Sequence, residues 1–191
     1  MNLTANEGKT GEYWMTFFND IYNFQADENT EVFKVALSGD KLTLNKVADG
    51  IVNAGTPVVL KTTATGGNLV MTLTSSTSSD SQSNSLTGVL ALAGVTAASP
   101  STTYVLNKKS SGVGFYKLTS GNTIGYGKAY LTYSGAGAPE FFSFDESTGI
   151  DATLVNSEKV NGVVYDLQGR RVSQPTKGLY IVNGKKVFIN K

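Results

Sequence analysis

Residues 160–191 read VNGVVYDLQGRRVSQPTKGLYIVNGKKVFINK. Two short apolar runs in this stretch flank Asn183-Gly184, the dipeptide that best suits a tight type I′ hairpin turn. Leu179 and Ile181 alternate with Tyr180 and Val182, and Val187 and Ile189 alternate around Phe188. A period of two places successive side chains on opposite faces of a strand. The spacing therefore predicts a hairpin, with Val163 and Tyr165 supplying a further short strand. Nothing in the stretch has a catalytic pattern.

The same alternation runs through the preceding sequence. In GEYWMTFF at 11–18, Tyr13, Met15 and Phe17 fall on one face and Trp14 and Phe18 on the other. Both faces are bulky, as a strand inside a sandwich requires. Phe33, Val35 and Leu37 share a face, Ser38-Gly39-Asp40 turns the chain, and Leu42 and Leu44 resume the pattern; this predicts a hairpin. Residues 20–29 read as a polar turn and 47–56 as a connection. Pro57 stands at the entry of VVLKT, where its missing amide donor does least harm. Gly66-Gly67-Asn68 separates that run from LVMTLT, which predicts a second hairpin. Residues 75–85, SSTSSDSQSNS, hold no apolar side chain and read as a mobile surface loop. LTGVLALAGV at 86–95 permits either a short helix or an irregular strand. Further strands are expected at 103–107, 114–118, 128–133 and 141–144.

Composition agrees with a strand-rich chain. Charged residues are 16% of the 191, and there are 21 glycines. Cysteine and histidine are both absent. Their absence removes disulfides, thiolate chemistry, the usual base of a serine nucleophile and the commonest transition-metal ligand. No apolar run approaches the roughly 18 residues needed to span a membrane. The start, MNLTANEGKTGEYW, lacks the basic and apolar regions of a signal peptide, and the chain is read as the C-terminal piece of a longer protein. Residues 1–150 carry a net −3 and residues 151–191 a net +4. The basic tail has no dense Lys/Arg block, so nucleic acid is not an expected partner.

The expected architecture is all-β: a jelly-roll-like β-sandwich at 1–146, a linker at 147–157, and a small C-terminal β-hairpin unit at 158–191. Close strand spacing carries this reading. An immunoglobulin-type sandwich fits less well, because its Cys–Trp–Cys core mark is missing.

Candidate chemistry is sparse. Glu12, Glu140, Asp145 and Glu146 are carboxylates that could be paired for glycoside hydrolysis only if a cleft brought two together. Asp27, Glu28 and Asn29 offer oxygen ligands, without the spacing of a calcium loop; a turn is the simpler reading, and no metal or cofactor is expected. Gly121, Gly125, Gly127 and Lys128 echo a phosphate loop without its spacing or its following helix. Trp14 and Tyr126 are the candidate ligand-binding aromatics, able to stack on sugar rings. Tyr126, between two glycines, is the least core-like aromatic. Arg170 and Arg171 read as charges that keep a strand edge soluble.

Several segments together resemble a β-rich module of large surface and exported proteins of Bacteroidetes-type bacteria. They are GEYWMTFFND, FQADENTEVFKVALSGDKLTLNKV, IVNAGTPVVLK, TYVLNKKSSGVGFYKL and GNTIGYGKAYL. The closing VYDLQGRRVSQPTKGLYIVNGKKVFI is similar to the C-terminal sorting domains of the type IX secretion system, though shorter. Tyr165, Gly169, Arg170 and Gly178 carry that likeness, with Tyr180, Asn183, Gly184 and Lys185. The resemblance implies an extracellular or outer-surface address and a non-catalytic accessory module whose tail engages the export machinery. A glycan or another surface protein is the implied partner of the larger unit. The alternative expectation is a carbohydrate-binding module of a polysaccharide-acting protein.

Overall fold

In the computed structural model, the residues described are 1–96, 102–118, 121–135, 137–144, 153–156, 164–166, 168, 170–172, 178–182 and 185–190. They are all-β, with two compact units, Met1–Phe144 and Asp145–Lys191.

The larger unit is built on a sheet whose strands are apolar on both sides. Tyr13, Met15 and Phe17 of the strand Glu12–Phe17 point into one core, and Trp14 points into another. Val58–Thr62 repeats the division: Val58 and Leu60 face the first core and Val59 the second. In Thr30–Ser38, Val32 faces the first core, while Phe33, Val35 and Leu37 pack on the second side. With Asn6–Lys9 at one edge and Lys41–Lys46 at the other, these strands form a five-stranded antiparallel sheet.

A strand buried on both faces needs a layer on each side, and both layers are present. The first is the sheet of Asn2–Thr4, Asn68–Thr74, Asn23–Ala26 and Ile51–Val52, in that order. It contributes Leu69, Met71, Phe24 and Val52 to the first core. The second is Leu86–Gly88, Ala129–Thr132, Thr103–Lys109, Gly112–Lys117 and Phe141–Ser143. It contributes Tyr104, Phe115, Leu131 and Phe142 to the second core. The sandwich thus has three layers. Against the far face of the third, a two-stranded ladder, Val95–Thr96 with Thr123–Ile124, covers a small cluster of Val89, Leu118 and Ile124.

The expected hairpin at 31–44 is present, paired from Phe33↔Lys46 to Ser38↔Lys41. The second expected hairpin is not. Val58–Thr62 pairs with Glu12–Phe17 and Thr30–Ser38, whereas Asn68–Thr74 pairs in a different sheet. Val58, Val59 and Leu60 are all buried, so their strand takes a central place with a neighbour on each side. The chain then crosses to the first outer sheet through a 3₁₀ turn at Thr65–Gly67. Gly67 has φ +71°, and a Cβ there would lie 2.5 Å from the Ala5 carbonyl oxygen; only glycine passes so close.

Two stretches read as turn and connection contain strands. Asn23–Ala26 buries Phe24 and Ala26 and leaves its polar side chains outward, and Ile51–Val52 pairs beside it. The stretch at 86–95 has no helix: Leu86–Gly88 is a strand and turns follow it.

The serine-rich stretch 75–85 has no regular structure, but it is held in place residue by residue. Ser78 N donates to Asn53 Oδ1 at 2.8 Å, and Asn53 Nδ2 returns a bond to the Ser78 carbonyl at 2.9 Å. Asn84 Nδ2 donates to the Pro57 carbonyl at 2.7 Å. Lys34 pairs with the Asp80 carboxylate at 3.2 Å and donates to its carbonyl at 2.8 Å. Ser85 N donates to the Val35 carbonyl and Ser85 Oγ accepts from Leu37 N. The expectation of a mobile loop gives way to a strap fixed by polar bonds instead of apolar burial.

The smaller unit is a four-stranded sheet in the order Thr153–Asn156, Lys185–Asn190, Gly178–Val182, Val164–Tyr165. Its first pair is parallel and the other two antiparallel. The stretch read as a linker therefore contains a strand, Thr153–Asn156, that belongs to this sheet. The predicted pairing of the last two strands is present, closing at Val182↔Lys185. Asn183 and Gly184, the expected turn, lie outside the described residues, as does Val163.

Candidate binding cleft

The edge strand Asn6–Lys9 carries a bulge between Glu7 and Lys9. The extra residue is Gly8, whose backbone lies against the indole edge of Trp14. A Cβ on Gly8 would come within 2.4 Å of Trp14 Cδ1 and 2.5 Å of Val113 Cγ2. Bulges re-aim side chains at sheet edges, and this one borders a cleft of about 410 Å³.

The floor comes from Trp14, Met15 and Thr16 of the central sheet. One wall comes from Val105–Lys108 and Val113 of the outer sheet, and the other from Leu118 and, in the segment Asn122–Ala129, from Asn122, Thr123, Ile124, Gly125, Lys128 and Ala129. That segment is anchored by two bonds to the central sheet: Ala129 N donates to Thr16 Oγ1 at 3.1 Å, and Phe18 N donates to the Gly127 carbonyl at 2.8 Å. Val113, Leu118 and Ile124 are buried, so the interior is apolar. Asn6, Asn107, Asn122 and Thr123 are exposed at the rim. An apolar cavity of this size with a few polar groups at its edge is the usual form of a small-molecule site.

Charge at the cleft is uneven. Lys108 and Lys128 line it, and neither ammonium has a hydrogen bond or ion pair among the described residues. Lys128 is exposed, and the neighbours that still desolvate it lower its ammonium below the ordinary lysine range. Glu7 is the acidic residue on the lining.

Trp14 is 9% exposed, and its ring is enclosed by the core. Phe144 lies 5.1 Å from it, Phe33 6.3 Å, and the Lys61 ammonium 5.5 Å from the ring centroid. The indole borders the cleft by its edge but presents no open face for stacking. Its Nε1 is buried without a hydrogen-bond partner among the described residues. Tyr126 is 46% exposed in the turn between Gly125 and Gly127, so the two aromatics chosen from the sequence fall in opposite environments.

Two of the four candidate carboxylates, Glu12 and Glu140, are engaged elsewhere. Glu12 pairs with Lys61 at 2.9 Å, and Glu140 pairs with Lys117 at 2.5 Å. The hydrogen bond from Lys46 holds Glu31 below the usual carboxylate range. Asp27 accepts from Asn29 N at 3.1 Å, Thr30 Oγ1 at 2.8 Å and Val70 N at 2.5 Å, which makes it a turn and sheet-edge cap. Asp145 and Glu146 lie outside the described residues.

In the smaller unit, Tyr165 is exposed and pairs with Ile181 and, through an isolated bridge, with Arg171. Arg170 is engaged locally: its Nε donates to Asp166 Oδ2 at 2.7 Å and its backbone N to Asp166 Oδ1 at 2.9 Å. The Arg170 amide, foremost, and its guanidinium keep Asp166 below the usual range. Gly178, Tyr180 and Lys185 occupy paired positions with Ile189, Val187 and Val182. Gly169 lies outside the described residues.

Lys108, Leu118 and Ile124 are not singled out by the sequence, and Lys128 enters it only through a weak echo of a phosphate loop. The available signal was the lysine closing Gly125-Tyr126-Gly127-Lys128, which resembles a phosphate loop too weakly to point anywhere. Among the described residues no helix is long and apolar enough to cross a membrane. Compared with protein-family models, curated proteins and solved structures, the chain finds no match.

Proposed function

We propose that the chain is a non-catalytic accessory module of a bacterial surface or secreted protein, its C-terminal unit serving export or surface attachment. The observation that carries the non-catalytic reading is the use made of the carboxylates. Glu12, Glu31 and Glu140 are neutralised by lysines, and Asp27 caps backbone amides. Glycoside hydrolysis needs two carboxyl groups facing each other across a cleft. The likeness of 164–189 to sorting domains supports the role of the tail, as does its organisation as a separate sheet. Deleting residues 158–191 from the native protein is expected to leave it in the periplasm, measured by fractionation and surface labelling. Unchanged surface display overturns the export role.

A second reading, glycan binding, is favoured by the exposure of Tyr126. A tyrosine ring standing out of a glycine turn can stack on a sugar face. Affinity electrophoresis through soluble polysaccharides is expected to retard the protein, with the retardation lost in Tyr126→Ala. Free migration of the folded protein through every polysaccharide gel removes this reading.

A further inference from the structure

We propose that the cleft beside Gly8 binds a small organic carboxylate with an apolar body. Its charge would meet Lys128, and its body would lie against Val113, Leu118 and Ile124. The site is separate from Tyr126 and does not depend on glycan binding.

Three features select this ligand class. The interior is lined by buried aliphatic side chains, which gain from covering an apolar body and offer nothing to a ring of hydroxyl groups. A sugar would also need an open aromatic face, and the faces of Trp14 are already taken by Phe33, Phe144 and Lys61. Then there is the cation. Lys128 lines the cleft from an exposed position, and its ammonium has no partner among the described residues. An incoming anion supplies the missing counter-charge at the mouth of an apolar cavity, where its body is covered as its charge is met. Residues 1–150 contain no arginine, so the cleft has no planar fork for a bidentate oxyanion. A single carboxylate on a point-charge ammonium is the match.

The chain reports on this site itself, because Trp14 is its one tryptophan and borders the cleft. In ¹⁵N-labelled protein the single indole N–H resonance can be followed during titration with hexanoate, 1-hexanol, acetate and galacturonate. Hexanoate should shift the resonance saturably and bind about tenfold or more tightly than 1-hexanol or acetate, the difference a charged hydrogen bond typically makes. Lys128→Met should remove that advantage over 1-hexanol while leaving the remaining spectrum intact. Lys41→Met, on the exposed 38–41 turn, should leave hexanoate binding unchanged. Three outcomes overturn the proposal: no saturable shift with hexanoate, equal affinity for hexanoate and 1-hexanol, or undiminished hexanoate binding in Lys128→Met. Tighter binding of galacturonate than of hexanoate would also overturn it and give the cleft to acidic sugars.

Discussion

At the scale of single residues, the packing at the edge of the cleft depends on position 8 lacking a side chain. Gly8 is buried in an extended strand, so no special backbone angle demands glycine there. What demands it is the space filled by Trp14 and Val113. Alanine would drive its Cβ into two side chains, one a ring fixed among Phe33, Phe144 and Lys61. Gly8→Ala is therefore expected to destabilise the fold by about 1–3 kcal/mol, the usual range for overpacking. It should also alter the Trp14 emission spectrum. Gly125→Ala serves as the control, because a Cβ there meets nothing within 4 Å. Parallel urea titrations measure both, and a Gly8→Ala midpoint as close to the parent as that of Gly125→Ala would refute this account.

At the scale of elements, legibility followed apolar content. The strands Glu12–Phe17, Thr30–Ser38 and Val58–Thr62 were visible because their runs are long and bulky. Asn23–Ala26 was missed because its outward residues, Asn23 and Gln25, make the stretch look like a turn. The partner of Val58–Thr62 was misread for a different reason. Sequence adjacency favours a hairpin, whereas pairing was decided by which strands could bury Val59 and Leu60 on both faces at once. The candidate site was barely legible. Its floor and its walls come from segments about a hundred residues apart, and each part alone reads as ordinary strand or turn. The serine-rich strap was misjudged because polar composition was equated with mobility, while its asparagine and serine side chains replace ladder bonds.

The strap also has a definite pH response. Burial raises the Asp80 carboxyl, but the Gln82 amide and the Lys34 ammonium outweigh it and hold the group below the usual range. A carboxyl depressed in the folded state adds stability above its unfolded pKa of about 4, and this is lost as pH falls through the folded value. Asp80→Asn should therefore melt lower than the parent near neutral pH, and the two curves should converge as the solution is acidified. A difference in melting temperature that stays constant down to about pH 2 contradicts the ionic role of Asp80.

At the scale of the molecule, the larger unit holds its apolar cores within itself. In residues 1–144 the central sheet is covered on both faces, and every residue of the three apolar clusters belongs to that unit. A domain of roughly this length buries about two thirds of the surface its unfolded chain exposes, enough for stability without disulfides or metal. The described residues of the C-terminal unit form a sheet of four strands, two of them, Thr153–Asn156 and Lys185–Asn190, joined in parallel across a long stretch of chain. A chain ending at Phe144 is accordingly expected to fold alone. Its thermal unfolding should be one cooperative transition, and its Trp14 emission should match that of the full chain, since Trp14 packs against Phe33 and Phe144 within the retained unit. Circular dichroism melts and fluorescence spectra of the two chains make the comparison directly. A broad, non-cooperative melt or a red-shifted Trp14 in the shorter chain would mean that the large core depends on residues beyond Phe144.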